Sequence, residues 1–108
     1  VFNDFAIRSY KPNEGFFVEH TDQHAGGSIN RIFAIIMYLN TVDEGGETEF
    51  PQHNIKIKPE KGKVLLFPGN YLFPHKGNMP ISNSKYIATS WVEFKEMPAK
   101  LMRLHGKW

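Results

Sequence analysis

The most constraining feature of this sequence is the way in which turn residues divide it into short β-prone segments. Glycine, proline and asparagine separate segments rich in β-branched and aromatic residues, which is typical of strands. Many short strands with closely spaced turns predict an all-β fold, an antiparallel barrel or jelly roll, with little helix. Only the C-terminal tail, residues 96–108, has a composition that suggests a short helix. The strands that we predict are residues 5–10, 16–20, 31–40, 47–50, 55–58, 63–67, 71–75 and 85–94.

Length and composition limit the alternatives. A chain of 108 residues with 41% hydrophobic residues can build one core, so we predict a single domain over residues 1–108. The longest apolar run, from Ile32 to Leu39, is far shorter than the ~20 residues of a membrane-spanning helix, and we expect no membrane span. A net charge of +2 is too small to predict nucleic-acid binding. Because cysteine is absent, any metal must be bound by histidine and carboxylate side chains.

The start of the sequence bears on completeness and location. The first residue is Val1 rather than methionine, and no signal segment follows it. We therefore expect that structural elements preceding Val1 are missing from this sequence. The lack of a signal and of cysteine favours the cytoplasm of a bacterium or of a virus-infected host cell.

Three residues are candidate metal ligands. Residues two apart in a strand point to the same side, so His20 and Asp22 can direct a ring nitrogen and a carboxylate oxygen to one point. Alone, this pair is more simply a polar pair at a strand end. His75 shares a face with two aromatic residues of the predicted strand 71–75, and a buried imidazole needs a partner. It is either a hydrogen-bonded core histidine or a third ligand, which would complete the facial triad of non-haem Fe(II) oxygenases.

Lys85 opens the last long strand, and both faces of that strand are mostly apolar. It shares a face with Ile87, Thr89 and Trp91. An ammonium group on a covered face destabilises the fold unless it is paired. Either the head of this side chain reaches water at the start of the strand, or an anionic ligand enters the barrel and pairs with it.

These candidates belong to a longer ordered series of motifs. In sequence order, the series is Tyr10, His20-x-Asp22, Asn30-Arg31, Tyr38-Leu39-Asn40, Gly45-Gly46-Glu47-Thr48-Glu49-Phe50-Pro51, Lys58-Pro59-x-x-Gly62, Phe67, His75, Lys85 and Trp91. The series resembles the 2-oxoglutarate- and Fe(II)-dependent dioxygenases of the prolyl 4-hydroxylase group, over roughly residues 10–94. Lysine at position 85 resembles the collagen-type and plant-type enzymes, because the oxygen-sensing prolyl hydroxylases and nucleic-acid demethylases have arginine there.

The resemblance implies a double-stranded β-helix, the cupin-like form of the jelly roll, and a set of site residues. It implies that His20, Asp22 and His75 bind Fe(II). It implies that 2-oxoglutarate chelates the iron and that its C5 carboxylate pairs with Lys85. The remaining positions that it assigns are Tyr10 and Tyr38 as phenol contacts to the co-substrate or pocket wall, Thr48 as a pocket-lining residue, Trp91 beside the iron site, and Arg31 as a substrate contact at the mouth.

Arg31 has an equally good alternative interpretation as a surface charge at a strand end. We expect the other histidines, His24, His53 and His105, to be solvated residues without a role in the site.

The resemblance also implies an activity. Enzymes of this group use O2 to convert 2-oxoglutarate to succinate and CO2 while they hydroxylate a C–H bond, and ascorbate supports turnover. The lysine at position 85 favours a prolyl residue in a peptide or protein as substrate. Two alternatives stay open: a free amino acid or other small molecule, and a non-catalytic jelly-roll binding module. The complete triad disfavours a binding module, and Asp22 disfavours a halogenase, in which glycine or alanine replaces this carboxylate.

Overall fold

The computed structural model describes residues 4–22 and 30–94 of the chain. Within these residues eight strands and one short 3-10 helix follow one another. The strands are β1 (Ala6–Tyr10), β2 (Phe17–His20), β3 (Arg31–Tyr38), β4 (Thr48–Phe50), β5 (Ile55–Ile57), β6 (Val64–Pro68), β7 (His75–Gly77) and β8 (Lys85–Glu93). The 3-10 helix, Pro51–His53, connects β4 to β5. The all-β prediction is confirmed, and all strands except β7 lie close to their predicted bounds.

The strands form two antiparallel sheets of four strands each. The first sheet has the order β1-β8-β3-β6 and the second has the order β2-β7-β4-β5. The chain alternates between them, since β1, β3, β6 and β8 belong to the first sheet and the intervening strands to the second. This alternation brings residues that are far apart in sequence to the two facing inner surfaces, as a jelly roll requires.

The register of the first sheet determines which residues point inwards. On β8, Trp91 lies opposite Ala34 of β3, and Ile87 lies opposite Tyr38. Directly opposed residues share a face, so every second residue of β8 contributes to the inner surface. Ala34 packs against buried phenylalanines of both sheets, Phe50 and Phe67, which form the centre of the core.

The outer face of the first sheet corrects one expectation. The segment 31–40 reads as a strand covered on both faces, and β3 is indeed an inner strand between β8 and β6. One outward-facing side chain of β3, Phe33, is nevertheless 38% exposed, whereas Ile35 on the same face is buried. Among the described residues the outer face is therefore covered only in part.

The predicted strand over residues 71–75 is wrong. These residues form a turn, in which the backbone N–H of Leu72 donates to the Asn70 side-chain oxygen (3.0 Å) and that of Phe73 donates to the Asn70 carbonyl (3.2 Å). Pro74 follows and has no N–H to donate to a neighbouring strand. The strand therefore begins at His75 instead of ending there.

Some expectations concern parts of the chain that the structure does not describe. Residues 23–30 are rich in glycine and predict a loop, but all of them except Asn30 lie outside the described residues, as does the helix-like tail over residues 96–108. That residues 1–108 form one domain stays a prediction. In the described part of the chain, no helix is long and apolar enough to cross a membrane.

Candidate active site

The candidate metal ligands come together where β2 and β7 meet. His20, the last residue of β2, lies directly opposite His75, the first residue of β7. The register shifts between Phe17 and His20, so that both of these side chains line the cleft. A local bulge of this kind redirects side chains that simple alternation would place on opposite faces. The spacing of Asp22 from His20 predicted that both residues lie in one strand. In the structure, Asp22 lies instead in a bend beyond the end of β2.

The donor atoms of the three residues surround one point. The Nε2 atom of His20 is 3.8 Å from Oδ1 of Asp22, and that of His75 is 3.5 Å from Oδ2. All three candidate ligand atoms lie within 4.8 Å of one another. Oδ2 of Asp22 is buried and has no hydrogen-bond partner among the described residues. A buried, unpartnered carboxylate oxygen is unfavourable unless a cation binds it, so the residues present fit a metal ion.

Backbone carbonyls determine which nitrogen of each imidazole faces the metal position. The Nδ1 atom of His20 is 2.7 Å from the Val18 carbonyl oxygen, and that of His75 is 3.1 Å from the Phe73 carbonyl oxygen. A carbonyl oxygen can only accept, so Nδ1 carries the hydrogen in both rings. In the neutral ring the lone pair is then on Nε2, which faces Asp22. Such contacts behind the ligand fix the orientation of the ring for metal binding.

Aromatic rings enclose the inner histidine. The ring of His75 lies 4.7 Å from that of Phe67, 5.6 Å from that of Phe50 and 4.3 Å from that of His20, measured between centroids. Burial lowers the pKa of His75, and the Asp22 carboxylate opposes this effect. A lowered pKa keeps the imidazole neutral further into the acidic range, and only the neutral ring can bind a metal.

Lys85 lies beside the cleft, next to the lining residues Tyr10 and Gly77, and does not itself line it. Only 3% of this residue is exposed, which excludes the interpretation that its head reaches water. Burial lowers the pKa of Lys85 to about 8, and the negative charge of Glu47 opposes this shift. No carboxylate of the described residues forms an ion pair with this lysine. Its Nζ atom lies 5.4 Å from the ring centroid of Tyr10, the residue opposite it on β1.

Two buried hydroxyl groups meet beside the cleft, one from Thr48, which lines it, and one from Tyr38, which does not. The Tyr38 hydroxyl and Oγ1 of Thr48 are 2.6 Å apart, and they join β3 of the first sheet to β4 of the second. Burial raises the pKa of Tyr38 to about 12, so its hydroxyl keeps its proton throughout the neutral range. Gly77 of β7 also approaches Lys85, because a Cβ atom there would lie 3.9 Å from Nζ. A side chain at this position would therefore contact the ammonium group of the lysine.

Trp91 and Arg31 lie together near the mouth. The guanidinium carbon of Arg31 is 3.8 Å from the Trp91 ring centroid, and Nη1 donates to the Asp22 carbonyl oxygen at 3.4 Å. Arg31 is therefore packed against the candidate site and does not project from the surface as a free strand-end charge.

The cleft lined by the triad encloses about 540 Å³, a volume that includes open solvent at its mouth. Tyr10, Thr48 and Trp91 line the cleft as expected, whereas Lys85, Tyr38 and Arg31 lie next to it and are not among its lining residues. Lining residues that the sequence reasoning missed include Arg8, Phe17, Lys76 and Gly77. Their positions follow from cross-strand register and from the bulge, neither of which has a local sequence signal.

The remaining histidines are separate from the cleft where the structure describes them. The ring of His53 stacks on Phe73 with 4.8 Å between centroids, and its Nε2–H donates to the Leu72 carbonyl at 2.8 Å. It is exposed and does not line the cleft, in agreement with the expectation. His24 and His105 lie outside the described residues.

Comparison with known proteins defines the class to which this fold and site belong. The 2OG-Fe(II) oxygenase superfamily matches residues 5–93, and the chain belongs to this superfamily. Within it, the chain is prolyl 4-hydroxylase-like. It is 31% identical to the Arabidopsis thaliana protein Probable prolyl 4-hydroxylase 3, with 84% of this chain aligned, and 31% identical to Prolyl 4-hydroxylase 1 of the same organism, with 80% aligned.

A solved structure supports the same assignment. The viral collagen prolyl hydroxylase of Paramecium Bursaria Chlorella virus-1, in its 2OG complex, has a TM-score of 0.77 and 29% identity to this chain. The alignment covers 89% of this chain and 61% of the viral one. The chain spans only 40% and 37% of the two Arabidopsis proteins. The double-stranded β-helix predicted from the sequence is confirmed by this similarity and by the arrangement of the two sheets.

Proposed function

We propose that this chain is the catalytic part of an Fe(II)- and 2-oxoglutarate-dependent dioxygenase that hydroxylates a prolyl residue in a peptide or protein. The observation that carries the proposal is the convergence of His20, Asp22 and His75 on one point, with an unpartnered buried carboxylate oxygen between two imidazole nitrogens. Membership of the superfamily supports Fe(II) and 2-oxoglutarate as the metal and the co-substrate.

In this proposal the three side chains hold Fe(II) through Nε2 of the two histidines and a carboxylate oxygen of Asp22. The bound iron supplies the oxidising chemistry, in which O2 and 2-oxoglutarate are converted to succinate, CO2 and a hydroxyl group on the substrate carbon. The protein orients the ligands through the carbonyls of Val18 and Phe73. Phe50 and Phe67 keep water away from the inner side of the site.

Lys85 binds the C5 carboxylate of 2-oxoglutarate beside Tyr10 and Gly77. The support is the buried ammonium group, which no described carboxylate pairs with, on the inner face next to Ile87. Tyr38 donates a second hydrogen bond to the co-substrate, with Thr48 positioning its hydroxyl group. Tyr10 forms the wall beside the lysine and contacts the co-substrate there.

Arg31 and Trp91 form the substrate side of the mouth. The indole ring is held by the guanidinium group stacked on it, which gives the pair a defined position beside Asp22. Trp91 lines the cleft, and its ring offers a flat apolar surface for a prolyl ring.

The test is a turnover assay with a panel of substrates. The protein is loaded with Fe(II) and 2-oxoglutarate under nitrogen, with and without ascorbate, and O2 is then added together with proline-containing peptides or free amino acids. We expect that a peptide raises succinate release above the uncoupled background and gains one oxygen atom, detected by mass spectrometry. Stimulation by free amino acids but by no peptide would replace the proposal with a small-molecule hydroxylase.

A further inference from the structure

Arg8 is a cation at the cleft that no role has yet explained. It lies on β1, opposite Ile87 of β8, and therefore on the inner face of the first sheet. It lines the cleft but remains exposed, which places it at the rim. Nε donates to Oγ1 of Thr89, the next inward-facing residue along β8, at 3.2 Å.

The guanidinium group is held in position but is not neutralised. The bond from Nε to Thr89 is the one side-chain hydrogen bond that Arg8 makes within the described residues, and no described carboxylate forms an ion pair with it. The two Nη nitrogens are thereby left for a partner. An arginine anchored through Nε is preorganised to bind a carboxylate with its outer nitrogens.

Other charged groups of the cleft do not supply that partner. Among the described lining residues, the one carboxylate is Asp22, which faces the two histidines. The other lining cation, Lys76, already pairs with Glu49 at 3.7 Å. The rim of the cleft at β1 therefore carries one positive charge for which the described chain offers no anion.

The position of Arg8 is also suited to the substrate rather than to the co-substrate. Thr89 lies between Ile87, which leads to Lys85, and Trp91, which lies at the mouth. Two residues of a strand span about 6.8 Å, and an extended peptide advances ~3.3–3.6 Å per residue. An anion bound by Arg8 would thus lie one or two residues away from a target bound beside Trp91.

We propose that Arg8 forms a subsite for a carboxylate of the substrate, supplied by a glutamate or aspartate within two residues of the target proline. This inference rests on the proposed peptide hydroxylase function. The subsite would give the enzyme a preference for acidic sequences around the hydroxylated residue. This preference would depend on Arg8 of β1 and not on the triad or Lys85.

The experiment measures peptide binding without turnover. The full chain is loaded with Zn2+, which supports no oxidation, and with 2-oxoglutarate, and fluorescein-labelled peptides are titrated by fluorescence anisotropy. The probes are three peptides that contain one proline, flanked on each side by two glutamates, two glutamines or two lysines. Free proline and prolinamide are added as unlabelled competitors, to separate a peptide side chain from the carboxylate of the amino acid itself.

Three variants accompany the wild-type chain. Arg8→Gln removes the charge, and Arg8→Glu reverses it. Lys11→Gln is the matched control, because Lys11 is an exposed cation next to β1 that does not line the cleft. We expect wild type and Lys11→Gln to bind the glutamate peptide roughly five- to thirtyfold more tightly than the glutamine peptide. Arg8→Gln abolishes this preference, and Arg8→Glu prefers a lysine-flanked peptide.

Each contrary outcome overturns the inference. Equal affinities of the glutamate and glutamine peptides for wild type, or the same preference in Arg8→Gln, would exclude the subsite, while hydroxylation of both peptides would leave the proposed function intact. Weaker 2-oxoglutarate binding in Arg8→Gln would assign the residue to the co-substrate, and a lower thermal midpoint in both Arg8 variants would assign it to folding. Competition by free proline but not by prolinamide, with no peptide hydroxylated, would overturn the proposed function together with the subsite.

Discussion

The metal end and the lysine end of the candidate site differ in sign and in construction. At one end, Oδ2 of Asp22 is a buried negative group without a hydrogen-bond partner among the described residues. At the other end, Lys85 is a buried cation without an ion-pair partner there. The metal end is built mainly on the sheet that contains β2 and β7, and local backbone carbonyls orient its imidazole rings. The lysine end is built on the sheet that contains β1 and β8, and it depends on the register of these strands.

The comparison shows what kind of ligand the cleft complements. A protein that buries an isolated charge loses stability, so both ends are held in an unfavourable state by the surrounding fold. A cation relieves the carboxylate end, and an anion relieves the lysine end. A metal ion bound to a dicarboxylic acid satisfies both at once, and the ends should therefore respond to different substitutions.

The largest expected effect is at the metal end. His75→Ala, and likewise His20→Ala and Asp22→Ala, removes a ligand and should lower Fe(II) affinity by more than about a hundredfold, because loss of a group behind a ligand already lowers it about 10- to 100-fold. Fe(II) binding under nitrogen and succinate formation are the measurements. His53→Ala is the control, since His53 is outside the cleft. Wild-type iron binding by His75→Ala would remove this residue from the proposed triad.

Substitution at the lysine end should leave the metal end intact. Lys85→Met should raise the dissociation constant of 2-oxoglutarate about 10- to 100-fold, since a charge-assisted contact contributes about 1.5–3 kcal/mol. Fe(II) affinity should hardly change, and Lys85→Arg should recover only part of the loss. The measurement is a 2-oxoglutarate titration of the Fe(II)-loaded variants under nitrogen, with the exposed Lys56→Met as control. An unchanged midpoint in Lys85→Met would eliminate its role as the anchor.

The two ends should also differ in their pH dependence. Burial lowers the pKa of Lys85 to about 8 from its ordinary 10.5, so the co-substrate loses its cation as the pH rises through about 8, and its affinity should fall. The unfolded chain keeps the proton up to pH 10.5, so the apo protein should become more stable between about pH 8 and 10.5. Titrations and urea denaturation at several pH values test both trends. Both should be absent from Lys85→Met, and their persistence there would assign them to another group.

The smallest expected effect concerns the hydroxyl pair that joins the sheets near the lysine end. Tyr38→Phe removes a hydrogen bond to Thr48 and should weaken 2-oxoglutarate binding about three- to tenfold and stability by about 1 kcal/mol. A double-mutant cycle with Thr48→Val, followed by urea denaturation, measures their coupling. Strictly additive effects would show that the two hydroxyl groups do not depend on each other.

Much of this arrangement could be predicted from local sequence patterns. Turn residues identify the strands, because glycine, proline and asparagine end strands by their own backbone properties. Alternation along β8 predicted that Lys85 shares a covered face with Ile87, and its burial is confirmed. Where the pattern was ambiguous, the prediction was wrong. The aromatic residues of the segment 71–75 are typical of a strand, but Asn70 and Pro74 cause it to form a turn.

Local sequence patterns are therefore sufficient to predict most of the strands, the candidate ligands and the buried lysine. The bulge that turns both Phe17 and His20 into the cleft, and the contact of Arg8 with Thr89, 81 residues away along the chain, are visible only in the folded molecule. The physical reason is that periodicity and turn propensity act over a few neighbouring residues. Which strand pairs with which, and in what register, depends on the packing of the two sheets together.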